Sequence, residues 1–179
     1  MKPVNNTYRY YLLLLFWVLI ASSSLHAQSI DNLESRHGFQ DIRLDSDISG
    51  YSDLLYRKSI HNQKSEEPIL LYNRKKGSYQ KIGDVSIRDL EVRTFRGKIV
   101  IIRIITEKNP DIMQALKTLY GEPKFSVRSN AWEWKSEGIL LSLRSTGKNK
   151  IEIIYTSRKL NQYIQELKEE GIEDISTDF

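Results

Sequence analysis

Lys98-Ile99-Val100-Ile101-Ile102-Arg103-Ile104-Ile105-Thr106 is the stretch that decides the fold. Ile99, Val100, Ile101, Ile102, Ile104 and Ile105 are β-branched, and their stiff χ1 angles suit a pleated surface better than a helix. Apolar residues fall on both faces of the run, which predicts a central strand. Just before it, Leu90-Glu91-Val92-Arg93-Thr94-Phe95 alternates in polarity, and Arg96-Gly97 supplies the tight turn of a hairpin. Further upstream, Ile69 to Asn73 reads as a strand and Lys75 to Ser78 as a turn. Tyr79 to Val85 either pairs back or connects. Pro68 closes a polar loop over His61 to Glu67. Asp45-Ser46-Asp47 predicts a helix start, with Ile48, Tyr51, Leu54 and Leu55 at helical spacing, although Gly50 weakens it. Phe39 to Leu44 is a first short strand.

Downstream, the punctuation is that of a helix. Asn109 is placed to cap, Pro110 stands at the first helical position, and Asp111 favours the positive helix end. Ile112, Ala115, Leu116 and Leu119 form an apolar stripe, Gly121 ends it, and Pro123 prevents a restart. Ala131 to Trp134 then reads as a strand. Ile139 to Arg144 and Lys150 to Thr156 form a hairpin through Thr146 to Asn149. Ser157 caps a last helix carrying Leu160, Tyr163, Ile164 and Leu167, which ends at Gly171.

These pieces repeat. Val92 to Ile102 aligns with Leu143 to Ile153, and each lies at the close of one helix followed by three strands. Such a unit buries one sheet face under its helix, and two units side by side share a larger core. The expected fold is α+β: an antiparallel sheet of two helix-plus-three-strand units, helices mainly on one face, and a C-terminal helix. The second unit, from Asp111 through Tyr120-Gly121-Glu122-Pro123 to Trp132-Glu133-Trp134 and its hairpin, resembles BamE/SmpA-like and beta-lactamase-inhibitor-protein-like domains. The whole mature chain is similar to exported Bacteroidetes-type proteins built of such units. The resemblance implies an envelope domain that acts through protein contacts. This chain departs from the outer-membrane assembly lipoprotein in having no cysteine, so a lipid tether, and with it the assembly role, is not expected.

The N-terminus reads as an export signal over residues 1–27. Lys2 and Arg9 precede a continuous apolar run from Tyr11 to Ile20, and the small residues Ala21 to Ser24 follow it, then Leu25-His26-Ala27. The run is about half the ~20 residues that span a bilayer. Cleavage is expected after Ala27, or alternatively after Ser23 or Ser24. Residues 28–37 read as a loose leader, 38–171 as one α+β domain and 172–179 as a frayed tail. The expected location is periplasmic or secreted, with membrane contact only through the uncleaved signal.

Removing residues 1–27 takes two of the 27 basic residues and none of the 23 acidic ones, so the net charge falls from +4 to +2. That weak, mixed charge offers no footprint for nucleic acid. The absence of cysteine excludes disulfides, thiolate metal sites and thiol nucleophiles. His37 and His61 lie in polar segments without metal-ligand spacing and read as idle. Asp45 and Asp47 resemble half of a calcium loop, but no Glu follows at the twelfth position, so capping accounts for them better. Adjacent carboxylates at Glu66-Glu67 and Glu169-Glu170 point apart and form no glycosidase dyad. No catalytic residue, metal site or cofactor is expected.

The candidate ligand-binding residues are aromatic: Trp132, Trp134, Tyr72 and Tyr79. Period two puts both indoles on one strand face, either as a platform for glycan or peptide or as core beneath a helix. The expected function is a noncatalytic binding module of the bacterial envelope, contacting protein or peptide by its open sheet face. The alternatives are an enzyme or enzyme inhibitor acting on envelope polymers, and a small-molecule or lipid carrier, which needs an apolar cavity between sheet and helices. Intact-mass analysis of the exported protein is expected to give a species that begins at Gln28. A stable species still carrying Met1 would refute the signal.

Overall fold

The computed structural model describes residues 31–62 and 65–166. The segment read as an export signal, the tail expected over 172–179 and the helix end expected at Gly171 lie outside them. The described chain is an antiparallel sheet with helices against it. Its strands are β1 (Gly38–Phe39), β2 (Ile42–Arg43), β3 (Leu54–Asn62), β4 (Ser65–Arg74), β5 (Lys81–Ile82), β6 (Val85–Phe95), β7 (Lys98–Glu107), β8 (Lys124–Ser126), β9 (Ala131–Lys135), β10 (Ile139–Ser145) and β11 (Lys150–Ser157). Among the described residues, β1 and β2 pair separately, and the large sheet runs β3-β4-β6-β7-β11-β10-β9-β8, with β5 beside β6. Helical segments are α1 (31–36), α2 (Pro110–Tyr120) and α3 (from 158).

The isoleucine run is central, as its composition predicts: β7 pairs with β6 on one side and β11 on the other. Arg96 and Gly97 both take positive φ (50° and 75°), the geometry of a two-residue hairpin turn that matches strand twist. Registers in the two halves correspond. Val92 faces Ile102 and Leu90 faces Ile104, while Leu143 faces Ile153 and Leu141 faces Tyr155.

α2 forms where its caps place it. The Asn109 side chain accepts the Asp111 N–H at 2.7 Å, and the Gly121 N–H (φ 79°) bonds the Lys117 carbonyl. Ile112, Leu116 and Tyr120 pack into the main core with Leu90, Val92, Ile102, Ile104, Leu141, Ile153 and Tyr155. The Ser157 hydroxyl accepts the Leu160 N–H and starts α3. Leu160 and Ile164 join a second cluster with Phe95, Val100 and Ile101. Register puts Ile101 opposite Arg93, on the face away from Ile102. The helices therefore lie on both faces: α1 and α2 on one, α3 over an end of the other.

Four expectations are corrected. No helix spans 47–55: Asp47 caps only a 3-10 turn, Ile48–Gly50. Leu54, whose N–H bonds the Tyr51 carbonyl, then enters β3 opposite Arg74 of β4, Gly50 having already weakened the helix. The polar loop expected over 61–67 is largely strand, the end of β3 and the start of β4. Residues 31–36, expected to be loose, are helical, with Leu33 fully buried in the main core. The Glu34 carboxylate accepts the Gly138 N–H, and His37 Nε2 lies 3.0 Å from Asp45 Oδ2, so His37 is not idle.

The face opposite α2 carries an ionic ladder. Glu152, on β11, is 1 % exposed and takes hydrogen bonds from Arg103 on β7 and Arg144 on β10. Burial pushes its pKa up, but the two arginines outweigh this and hold it below the ordinary 4.5. A depressed pKa gives stability that is complete above the unfolded value and lost as pH falls through the folded one. Glu152→Gln is expected to cost about 3 kcal/mol, because it breaks a buried pair and leaves its partners uncompensated. Urea melts across pH 3 to 7 check this: the variant loses the part of the acid slope that begins near pH 4.5.

Candidate functional site

β9 carries both indoles on the α2 side of the sheet, and their fates differ. Trp134, opposite Leu141, is 4 % exposed, and its indole N–H donates to the Gly121 carbonyl at 2.7 Å. The ring thus bolts the end of α2 to the sheet and belongs to the core. Trp132, opposite Leu143, lies two residues nearer the start of the strand and is 42 % exposed. It meets Phe125 of β8 edge-to-face at 5.1 Å between centroids, an arrangement aromatic quadrupoles favour. Phe125 and the following Val127 are also exposed. The short strand β8 leaves these three side chains at a sheet margin that α2 does not cover.

Tyr72 and Tyr79 lie elsewhere. Tyr72, on β4, is separated from β9 by β6, β7, β11 and β10, about 24 Å at the usual strand spacing. It meets exposed Tyr56 of β3 edge-to-face at 5.8 Å. Tyr79 is in the β4–β5 connection and donates its hydroxyl to Asp41 at 3.1 Å. Burial, then the Asp41 charge, pushes its pKa up to about 12. The four aromatic candidates therefore do not form one platform. The fold brings Trp132 together with Phe125 and Val127 at one margin, and Tyr72 with Tyr56 at the other.

Phe125 and Val127 escape a reading based on strand alternation because they sit just after Pro123, in a connection. An aromatic residue two positions after a proline and seven before a tryptophan carries no period that would mark it. The cavity beneath α2 was equally illegible. Its lining comes from segments as distant as Arg36, Gly83, Leu116 and Tyr155, and it encloses about 290 Å³. Among the described residues no group of three or more His, Cys, Asp or Glu side chains could hold a metal ion. None of their helices is long and apolar enough to cross a membrane.

The two tryptophans give opposite expectations. Trp134→Ala should cost about 4 kcal/mol, the range for emptying a packed aromatic site. Trp132→Ala should cost about 1 kcal/mol, the worth of an exposed aromatic pair. Denaturant melts of both variants check this, and equal losses would contradict the assignment of Trp134 alone to the core.

No protein-family model, curated protein or solved structure matches this chain.

Proposed function

We propose that the protein is a noncatalytic exported binding module of the bacterial envelope, which contacts a protein or peptide through the margin formed by Phe125, Val127 and Trp132. The observation that carries this is the exposure of three large apolar side chains on β8, β9 and the turn between them, Val127 at 85 %, Phe125 at 48 % and Trp132 at 42 %, the two rings in contact. Water contact of this extent is unfavourable for such groups, and covering them releases free energy in proportion to the area removed. Tryptophan in particular anchors interfaces, since it brings large area with few rotatable bonds. The edge-to-face contact with Phe125 holds the indole in one orientation, which reduces the entropy lost on binding. The envelope location rests on the reading of residues 1–27 as an export signal.

We also infer that the chain consists of two related units, β3-β4-β6-β7 and β8-β9-β10-β11, joined where β7 meets β11. The strand registers support this. Adding 51 to the pairs Val92–Ile102 and Leu90–Ile104 yields Leu143–Ile153 and Leu141–Tyr155. The same superposition carries Tyr72 onto Trp132, because Tyr72 faces Val92 and Trp132 faces Leu143. It then carries Tyr56 onto Phe125, their cross-strand partners. Each unit thus ends in an edge-to-face aromatic pair at a sheet margin.

The test is photo-crosslinking. The protein with benzoylphenylalanine in place of Val127 is exposed to envelope extract and irradiated. Discrete crosslinked proteins are expected from position 127, lost when Trp132→Ala is added and absent when the probe replaces exposed Lys76. The same bands from both positions, or none from position 127, would overturn the reading.

A further inference from the structure

The cavity under α2 is independent of the aromatic margin. Its floor is the sheet at Ile153 and Tyr155, one wall is α2 at Ile112 and Leu116, and the other is the β1–β2 hairpin at Phe39. All five side chains are buried parts of the main core. The hairpin can fold down only because residue 38 is glycine: a Cβ there would lie 2.1 Å from the Ile42 carbonyl oxygen, at a φ of 153°. The wall is therefore a built feature of the chain.

The polar side chains that line this space are Arg36, Gln40, Arg43, Tyr120 and Tyr155. Tyr120 and Tyr155 present neighbouring hydroxyls that influence each other, and burial raises the pKa of both, so both remain neutral phenols. The Arg36 charge acts on both rings and opposes that rise. Arg36 and Arg43 are exposed and line the cavity at its mouth. Arg43 gives one N–H to the Gln40 carbonyl. Among the described residues Arg36 has no ion-pair or hydrogen-bond partner. No carboxylate lines the cavity. Apolar walls, neutral hydroxyls and two guanidinium groups at the entrance together define an anion with an apolar body.

We propose that this cavity binds a small amphiphilic carboxylate, with its apolar body between Phe39, Ile112, Leu116 and Ile153 and its carboxylate on Arg36 and Arg43. The volume sets the size. At roughly 30 Å³ for each liquid water, 290 Å³ corresponds to a body of about ten non-hydrogen atoms. That admits a medium-chain fatty acid and excludes a two-chain lipid. The carboxylate is matched by guanidinium, whose planar fork of donors binds it in a bidentate manner. The apolar body gains by displacing water from a surface that cannot hydrogen-bond it.

The probes are octanoate, 1-octanol and acetate, titrated into the purified protein and followed by calorimetry and by amide chemical shifts. Octanoate is expected to bind saturably and to shift resonances around Ile153, Tyr155 and Leu116. Octanol, without the charge, and acetate, without the chain, should each bind at least about tenfold more weakly, a factor that corresponds to one charge-assisted contact. Arg36→Gln should remove most of the preference for octanoate over octanol, while Ala115→Leu, which narrows the cavity from α2, should weaken both. Both replacements are at exposed positions, and retained chemical-shift dispersion will show that the variants fold. No saturable octanoate binding, an unchanged preference in Arg36→Gln, or shifts confined to the Trp132 margin would each overturn the proposal.

Discussion

The pairing of β7 with β11 is the constraint on which the rest of the molecule depends. It joins the half that ends at Glu107 to the half that begins at α2, through seven aligned residue pairs from Lys150–Glu107 to Thr156–Ile101. The seam is dry on one face, where Ile104 and Ile153 face each other in the core. On the other face it is bridged by Arg103 and Glu152. A strand as rich in isoleucine as β7 has little in its own side chains to fix a register, since a shift of one residue exchanges one isoleucine face for another. β11 supplies the discrimination. A one-residue slip there would turn Glu152 into the apolar core, where a carboxylate without a partner is costly. Replacing such a pair with apolar residues often preserves stability, so the value of Glu152 lies in opposing the wrong alignment.

Legibility in the sequence followed how local the determining interaction is. α2 was readable to its ends because Asn109, Pro110 and Gly121 act on their own backbone, and the structure has each cap in place. The β6–β7 and β10–β11 hairpins were readable for the same reason, since the turn chemistry lies within the turn. The segment 47–62 was misread because Ile48, Tyr51, Leu54 and Leu55 imitate helical spacing, while a bulge between Tyr56 and Lys58 breaks the alternation that would have marked β3. Residues 31–36 contain one large apolar side chain, Leu33. Only its burial against distant strands, with Glu34 on Gly138, makes the segment structural.

The site divides along the same line. Period two was enough to place Trp132 and Trp134 on one face of β9, but it could not separate them, because the difference arises from where α2 ends. Gly121 stops the helix beside Trp134 and accepts its indole N–H. Two residues back along the same face, Trp132 lies beyond the helix end and is 42 % exposed. Sequence alternation reports the face of a residue, whereas exposure depends on the length of the element packed above it.

The two proposed surfaces make different physical demands, and the fold meets both without conflict. A margin that binds a partner needs side chains held rigidly but left uncovered. β8 and β9 provide this beyond the end of α2, on a sheet whose register is fixed elsewhere. A cavity for a small amphiphile needs apolar walls from elements that can separate slightly to admit it. α1, the β1–β2 hairpin and α2 are such elements, because they reach the sheet mainly through side chains and a few polar contacts, among them the Trp134 indole N–H on the Gly121 carbonyl and Gln40 on the Lys81 carbonyl. Movement of that layer leaves the β7–β11 ladder intact, so ligand entry need not loosen the sheet. Tyr155 lies in both systems: its backbone pairs with Ile102 and Leu141, and its ring forms the cavity floor. A ligand there would touch the seam itself, and its binding energy would add to the stability of the contact that joins the two halves.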